Sequence, residues 1–280
     1  MTRQANPYLD RTVSIVETRP GDSVVPKGVR AIAIVADKSN YKARPSAAGI
    51  DDVIARLPAS QIDLLEIDYE SRSRTLPDLR RLTNLRFLHI GGRDIREIGD
   101  LSSLTKLESL YIANAKVETL SALRAAPLKK LRLIRGSVET VDIEVSYALL
   151  QACQRLRRFG PARIRRLTLE TCNRVDLRTL SEASGLVELR LISRTRLDDV
   201  SFLEGCSELR TLAMATKASP TGFDSLRRCK SLRNVFLALG STALRKLAVQ
   251  YPAILFSNGT VSYRGREELP GSAFYTADLD

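Results

Sequence analysis

Apolar positions return along this chain as a fixed triplet. LRFLHI at 85–90 has the form Leu-x-x-Leu-x-Ile, and LESLYI at 107–112 repeats it 22 residues later. On that frame the triplets are Ile62, Leu65, Ile67; Leu85, Leu88, Ile90; Leu107, Leu110, Ile112; and Leu128, Leu131, Leu133. They continue as Ile164, Leu167, Leu169; Leu186, Leu189, Leu191; Leu209, Leu212, Met214; and Leu232, Val235, Leu237. Every step but one is 21–23 residues long, the exception being 36 between Leu128 and Ile164. A weaker copy, Val29, Ile32, Ile34, lies 33 residues before the first. The alternating half of each triplet sends its apolar side chains to one side, as a strand does. More apolar residues follow at short steps: Ile95, Ile98, Leu101 and Leu104 in one unit, Val117, Leu120 and Leu123 in the next. That spacing predicts a short helical or 3-10 return. One strand and one return cannot bury their own apolar edge, whereas stacked neighbours can.

The series resembles leucine-rich repeat proteins, closest to the bacterial 22-residue, internalin-like class, over about residues 29–256. The resemblance implies an α/β leucine-rich repeat solenoid: a right-handed arc, a parallel β-sheet on its concave face, and short helices or 3-10 turns on its convex face. It also implies a rigid surface that binds a partner protein on the inner curve. One slot departs from the family pattern. The asparagine that bonds turn backbone after each strand is replaced by Arg93, Ala115, Gly136 and Cys172, so less regular turns are expected.

The expected organisation is one continuous domain, with an N-terminal cap at 1–28, repeats over 29–240, and a C-terminal cap and tail at 241–280. TVSIVET reads as a strand within the first cap. In the 36-residue step, Ala148, Leu149, Ala152, Cys153 and Leu156 fall at helical spacing and FGP follows at 159–161. This predicts a helical insertion at about 144–160 on the outer side. A degenerate repeat with a lost strand consensus is the alternative. STALRKLAVQY at 241–251 predicts a helix with Ser241 as N-cap. YPAILFSNGTV predicts a last strand with its turn at NG, and RGREELPGSAFYTADLD a loosely docked tail.

The residues between the apolar slots face the other way. In chain order they are Leu64 and Glu66, Phe87 and His89, Ser109 and Tyr111, Lys130 and Arg132, Arg166 and Thr168, Glu188 and Arg190, Thr211 and Ala213, and Asn234 and Phe236. Phe87, His89 and Tyr111 form an aromatic group on adjacent strands. Lys130, Arg132, Arg166 and Arg190 continue it as a basic stripe, with Glu170 and Glu188 interleaved. Aromatic side chains beside arginine have the composition of an interface hot spot. These seven aromatic and basic residues are the expected partner site.

Charge adds a direction. The chain carries a net +12, mostly from arginine, and a basic surface attracts acidic partners. The competing reading is solvated charge with no partner. No apolar run reaches the ~18–20 residues of a membrane helix, and the N-terminus lacks a secretory apolar core, so a cytoplasmic protein without membrane contact is expected. Chemistry has little to work with: four cysteines with no C-x-x-C, one histidine, no glycine-rich phosphate loop and no paired carboxylates. Neither metal nor cofactor is expected, nor is an enzyme, although His89 with Glu66 or Tyr111 is conceivable as a dyad. Cys206 and Cys229 lie three residues before their leading leucines, a slot filled elsewhere by Leu82, Leu104, Ala125 and Ala183, and read as packing positions. The expectation is therefore a non-catalytic recognition module, monomeric without its acidic protein partner: an adaptor, an effector or a toxin-immunity protein. A basic solenoid binding nucleic acid is the second reading, supported by RLRRFGPARIRRL at 155–167.

Overall fold

The computed structural model describes residues 2–3, 15–18, 28–35, 47–68, 74–92, 94–193, 199–215 and 223–270. Most of the expected N-terminal cap, Arg93 and the tail beyond residue 270 lie outside them. The chain divides into two compact units, Met1–Val145 and Ser146–Asp280, where the sequence led to one continuous domain.

The first unit runs β1 (Thr2–Arg3), β2 (Ile15–Thr18), β3 (Ala31–Val35), α1 (Ala47–Arg56), β4 (Leu64–Asp68), β5 (Phe87–Gly91), β6 (Ser109–Ala113), β7 (Lys130–Ile134) and β8 (Thr140–Val141). β1 pairs antiparallel with β2, and β2 through β7 then pair in parallel in sequence order. The apolar slots fall in register: Ile32, Leu65, Leu88, Leu110 and Leu131 form one row, and Ile34, Ile67, Ile90, Ile112 and Leu133 the next. Every side chain in these two rows is at most 2% exposed. The returns are single turns, as in Leu104 N–H to Leu101 O (3.0 Å) and Leu107 N–H to Leu104 O (2.9 Å). Ile95, Ile98, Leu101, Leu104, Val117, Leu120 and Leu123 are buried under them. The long step between the weak first copy and the second holds the real helix, α1, which buries Ile50, Val53 and Ile54.

The second unit takes β9 (Glu144–Gln151), whose first two residues belong to the first unit. It continues with β10 (Arg158–Phe159), β11 (Ala162–Glu170), β12 (Ala183–Ser184), β13 (Glu188–Ile192), β14 (Thr211–Ala215), β15 (Asn234–Leu237), α2 (Ser241–Gln250), β16 (Leu255–Ser257), β17 (Val261–Arg264) and β18 (Glu267–Pro270). β11, β13, β14, β15 and β16 are parallel neighbours, with Leu167, Leu189, Leu212, Val235 and Phe256 in one buried row. Short 3-10 helices at Leu177–Glu182, Ser201–Gly205 and Phe223–Arg227 are the returns, and each packs on the next. Asp176 caps the first by accepting from Arg178 N–H at 3.1 Å.

The helical insertion expected at 144–160 is not there. β9 occupies 144–151 and neighbours β11, so the 36-residue step holds a degenerate repeat. Its triplet is Val145, Ala148, Leu150, with exposures of 2%, 0% and 0%. The helical spacing in the sequence arose because Leu149 and Ala152, which point away from the core, were grouped with the true apolar set. A strand here satisfies the backbone groups of its sheet neighbour, which a surface helix would leave open. The C-terminal cap differs in two details. α2 forms as expected, but Gly240 is its N-cap and Ser241 its first residue. Residues 264–270, read as tail, belong to an antiparallel meander of β16, β17 and β18. The NG turn is present: Asn258 Oδ1 accepts from Thr260 N–H (3.0 Å) and Val261 N–H (3.1 Å), and Gly259 takes φ +91°.

The turns after the strands explain the missing asparagines. Asn114, Arg135, Ala152 and Thr171, each the first residue past its strand, have φ of +51° to +57°. That backbone carries the sheet hydrogen bonds one residue further, through Asn114 N–H to Ile134 O (2.9 Å), Ala152 N–H to Glu170 O (2.7 Å) and Thr171 N–H to Ile192 O (2.8 Å). The next residue then turns inward. Ala115, Gly136 and Cys153 are buried there, and Cys172 is half-buried with its thiol donating to Leu150 O (3.2 Å) and Glu170 O (3.5 Å), backbone bonds of the kind asparagine makes.

Candidate protein-recognition face

In the first unit the outward side chains form two in-register rows. One runs Ala31, Leu64, Phe87, Ser109, Lys130, and the other Ala33, Glu66, His89, Tyr111, Arg132. Neighbouring strands sit about 4.8 Å apart, so large side chains shade smaller ones. Phe87 packs on a small apolar cluster of Ala31, Ala33 and Leu64, with the Arg86 guanidinium 5.3 Å from its ring centre. His89 and Tyr111 lie ring to ring at 4.3 Å, and His89 Nδ1 is 3.4 Å from Glu66 Oε1. When the imidazole carries its second proton this contact is an ion pair. Phe87, His89, Tyr111 and Lys130 are half-buried. Arg132, expected on the surface, is only 8% exposed, and Leu64 and Glu66 are buried at 3% and 2%. The face is more tightly filled than alternation alone implies.

In the second unit the corresponding rows are Arg166, Glu188, Thr211, Asn234 and Thr168, Arg190, Ala213, Phe236. Arg190 Nε donates to Glu188 Oε1 at 2.6 Å, so this arginine is held flat against its own strand. Arg166 is exposed, and its guanidinium lies 5.6 Å from the Tyr147 ring centre. Thr168, Thr211, Ala213 and Phe236 are buried. Tyr147 and Leu149 are the face residues that the helical reading of 146–158 hid. The signal for them was present in Val145-x-x-Ala148-x-Leu150, the same triplet with Val and Ala in leucine positions.

A third row, one residue before the strands, was not foreseen. In the first unit it alternates in sign: Arg30, Asp63, Arg86, Glu108, Lys129. Arg30 meets Asp63 at 2.6 Å, Arg86 meets Glu108 at 2.8 Å, and Lys129 meets Glu108 at 3.3 Å. The hydrogen bond from Arg86, aided by Lys129, holds the Glu108 carboxyl below its ordinary pKa. A cleft of about 500 Å³ opens at this edge among Arg30, Gln61, Asp63, Asn84, Arg86 and Lys106. Its polar groups are largely engaged with one another, Asn84 Nδ2 donating to Ser60 O (2.6 Å) and Lys106 Nζ to Asn84 Oδ1 (2.5 Å). In the second unit the same row reads Arg165, Val187, Arg210, Arg233, with no carboxylate, and the three arginines are exposed. Their strands are hydrogen-bonded in that order, through Val187 N–H to Arg165 O (2.8 Å), Arg210 N–H to Val187 O (2.8 Å) and Arg233 N–H to Arg210 O (2.9 Å).

The remaining candidates have structural places. Cys206 and Cys229 are buried at 4% and 3%, and burial pushes both thiols up, Cys206 to about 11. Leu82, Leu104 and Ala183 share their slot and are buried too, whereas Ala125 is exposed and Ala126 is buried in its place. Among the described residues no three His, Cys, Asp or Glu side chains converge as a metal site, and no helix is long and apolar enough to cross a membrane.

No protein-family model matches the chain, and a search of curated proteins found no significant match. Among solved structures, the chain is similar to an internalin of Listeria monocytogenes, at 16% identity over 80% of this chain and 71% of that one, with a TM-score of 0.36. Internalin C2 of the same organism aligns at 20% identity over 59% and 76%, TM-score 0.31. A leucine-rich repeat protein of Leptospira interrogans aligns at 10% identity over 84% and 75%, TM-score 0.32. The fold stands on the rungs themselves: recurrent Leu-x-x-Leu-x-Ile triplets, parallel in-register strands and one-turn or 3-10 returns. By that construction the chain has a leucine-rich repeat fold, the architecture that the sequence resemblance implied.

Proposed function

We propose that this chain is a protein-recognition module that binds an acidic partner protein through the outward face of its sheet. The observation that carries the reading is the set of braced aromatic and basic side chains on consecutive rungs of the first unit, Phe87 under Arg86 and His89 against Tyr111; in the second unit Tyr147 is braced in the same way under Arg166. Side chains already held in place lose little freedom on binding, which lowers the cost of association. Aromatic and arginine anchors are also the residue types that dominate interface energies. The acidic character of the partner is supported by the carboxylate-free edge of Arg165, Arg210 and Arg233. The module acts by occupying its partner, as an adaptor, an effector or an immunity protein does.

The test is affinity for a co-purified partner. Phe87→Ala with Tyr111→Ala removes two anchors and raises Kd by about 30-fold or more, mainly through faster dissociation. Arg210→Glu with Arg233→Glu slows association and weakens its salt dependence. Wild-type affinity in both double variants refutes the assignment. A chain that instead purifies with nucleic acid, and binds it with nanomolar sequence specificity at physiological salt, overturns the choice of partner.

A further inference from the structure

The four cysteines fall into two stacks, and the stacks differ chemically. Cys153 and Cys172 occupy the same position in successive turns, two residues past the ends of β9 and β11. The turns are tied by Ala152 N–H to Glu170 O at 2.7 Å. Cys172 Sγ reaches across to Leu150 O at 3.2 Å, and Cys153 Sγ lies 3.6 Å from Gln151 O, so both sulfurs sit at the end of β9. A rung spacing of about 4.8 Å falls inside the Cα separation that a disulfide spans. Cys153 is buried, and Cys172 is half-buried.

Cys206 and Cys229 form the second stack, also on successive rungs. Both are buried, with Cys229 Sγ donating to Leu203 O at 3.0 Å. Burial raises both of these thiols, whereas the hydrogen bond from Cys153 draws Cys172 below the ordinary thiol value. A thiol that is partly accessible, ionises readily and has a second thiol at the same place in the next turn has the attributes of an oxidation-prone site; a sealed, raised thiol has none of them.

We propose that Cys153 and Cys172 are a modification site of this chain, a dithiol that hydrogen peroxide converts to an intramolecular disulfide across adjacent turns while Cys206 and Cys229 stay reduced. The Cys172 thiolate attacks one peroxide oxygen. The O–O bond breaks, hydroxide leaves and takes up the thiol proton as water, and Cys172 becomes a sulfenic acid. The Cys153 sulfur then attacks the Cys172 sulfur, the S–O bond breaks, and a second water leaves with the Cys153 proton. Two thiols lose two electrons and two protons to one peroxide, which yields two waters. A small dithiol reductant reverses the reaction. Cys172 is the attacking residue because peroxide reaches it from solvent, and Cys153 resolves it from the buried side.

The experiment treats the full-length chain with limiting hydrogen peroxide, then counts thiols in denaturant and maps peptides by mass. The expected result is a fall from four free thiols to two, with one linked peptide pair, Cys153–Cys172, lighter by two hydrogens, and full recovery with dithiothreitol. Cys172→Ser keeps a donor for the two carbonyls and should slow peroxide-dependent thiol loss at least tenfold. Cys153→Ser should leave Cys172 as a sulfenic acid that a 1,3-dione traps. The proposal is overturned if Cys206 and Cys229 oxidise at the rate of the other two, if the only linked species are between chains, or if wild-type Cys172 accumulates trapped sulfenic acid without a disulfide. Should either serine variant fail to fold, the wild-type peptide map decides alone.

Discussion

Leu110 and Tyr111 are neighbours on one strand that point to opposite sides of the sheet, and truncating each measures what its side contributes. Leu110 is fully buried between Leu88 and Leu131, which are 2% and 0% exposed. The strands on both sides are hydrogen-bonded in register, so the site cannot collapse around the space left by Leu110→Ala. Lost transfer energy and a persistent cavity together place the cost near the upper part of the leucine-to-alanine range, about 3–5 kcal/mol. Tyr111 is half-buried, and its ring centre lies 4.3 Å from that of His89. An aromatic pair contributes about 0.5–1.5 kcal/mol beyond area, and partial burial adds a similar amount, so Tyr111→Ala should cost about 1–3 kcal/mol. Urea unfolding followed by circular dichroism reads both, with an unchanged m-value confirming that only stability moved. The gap of about 2 kcal/mol is large against the 5–15 kcal/mol typical of a whole domain. Equal costs for the two substitutions would refute the reasoning, because the outward row would then be a second core with nothing free to bind.

Three further outcomes follow from the same structure. Gly136→Ala should cost about 1–3 kcal/mol by overpacking, since an added Cβ would lie 2.6 Å from Leu133 Cγ in the core; an unchanged urea midpoint would show that the ladder slot has spare room. Glu108 has a folded pKa below its unfolded one, so its stabilising contribution is present above the unfolded value and is lost as pH falls through the folded one; Arg86→Gln should raise the Glu108 midpoint in an NMR titration, and no change would mean that the Arg86 contact is not kept in solution. Cys206→Ala should cost about 1 kcal/mol through lost packing and leave partner affinity untouched; loss of binding at full stability would give that thiol a role beyond the core.

The repeat was legible in the sequence because its core is periodic. Leu88, Leu110 and Leu131 must meet in one row, and a shift of one residue would turn every one of them out of the core. The degenerate rung was not legible because Val and Ala replaced leucine and the two steps around it are short, so Leu149 and Ala152 completed a false helical pattern. The true helix, α1, went unread because no triplet marks its segment. At the candidate face, the direction of each side chain was readable from alternation, but its exposure was not. Arg132 and Glu66 are buried by what flanks them on other strands, and that depends on register between residues more than 20 positions apart. The charged edge rows were missed for the same reason: Arg30, Asp63, Arg86, Glu108 and Lys129 alternate only once the strands are laid side by side.

Hydroxyl-radical footprinting of the partner-bound chain tests the recognition face most directly, because aromatic and imidazole side chains report their own solvent contact. Phe87, His89, Tyr111 and Tyr147 should lose labelling on complex formation, while Val249, 52% exposed on α2, should be labelled as before. Protection of Val249 with unchanged labelling of the four face residues would contradict the assignment of this face.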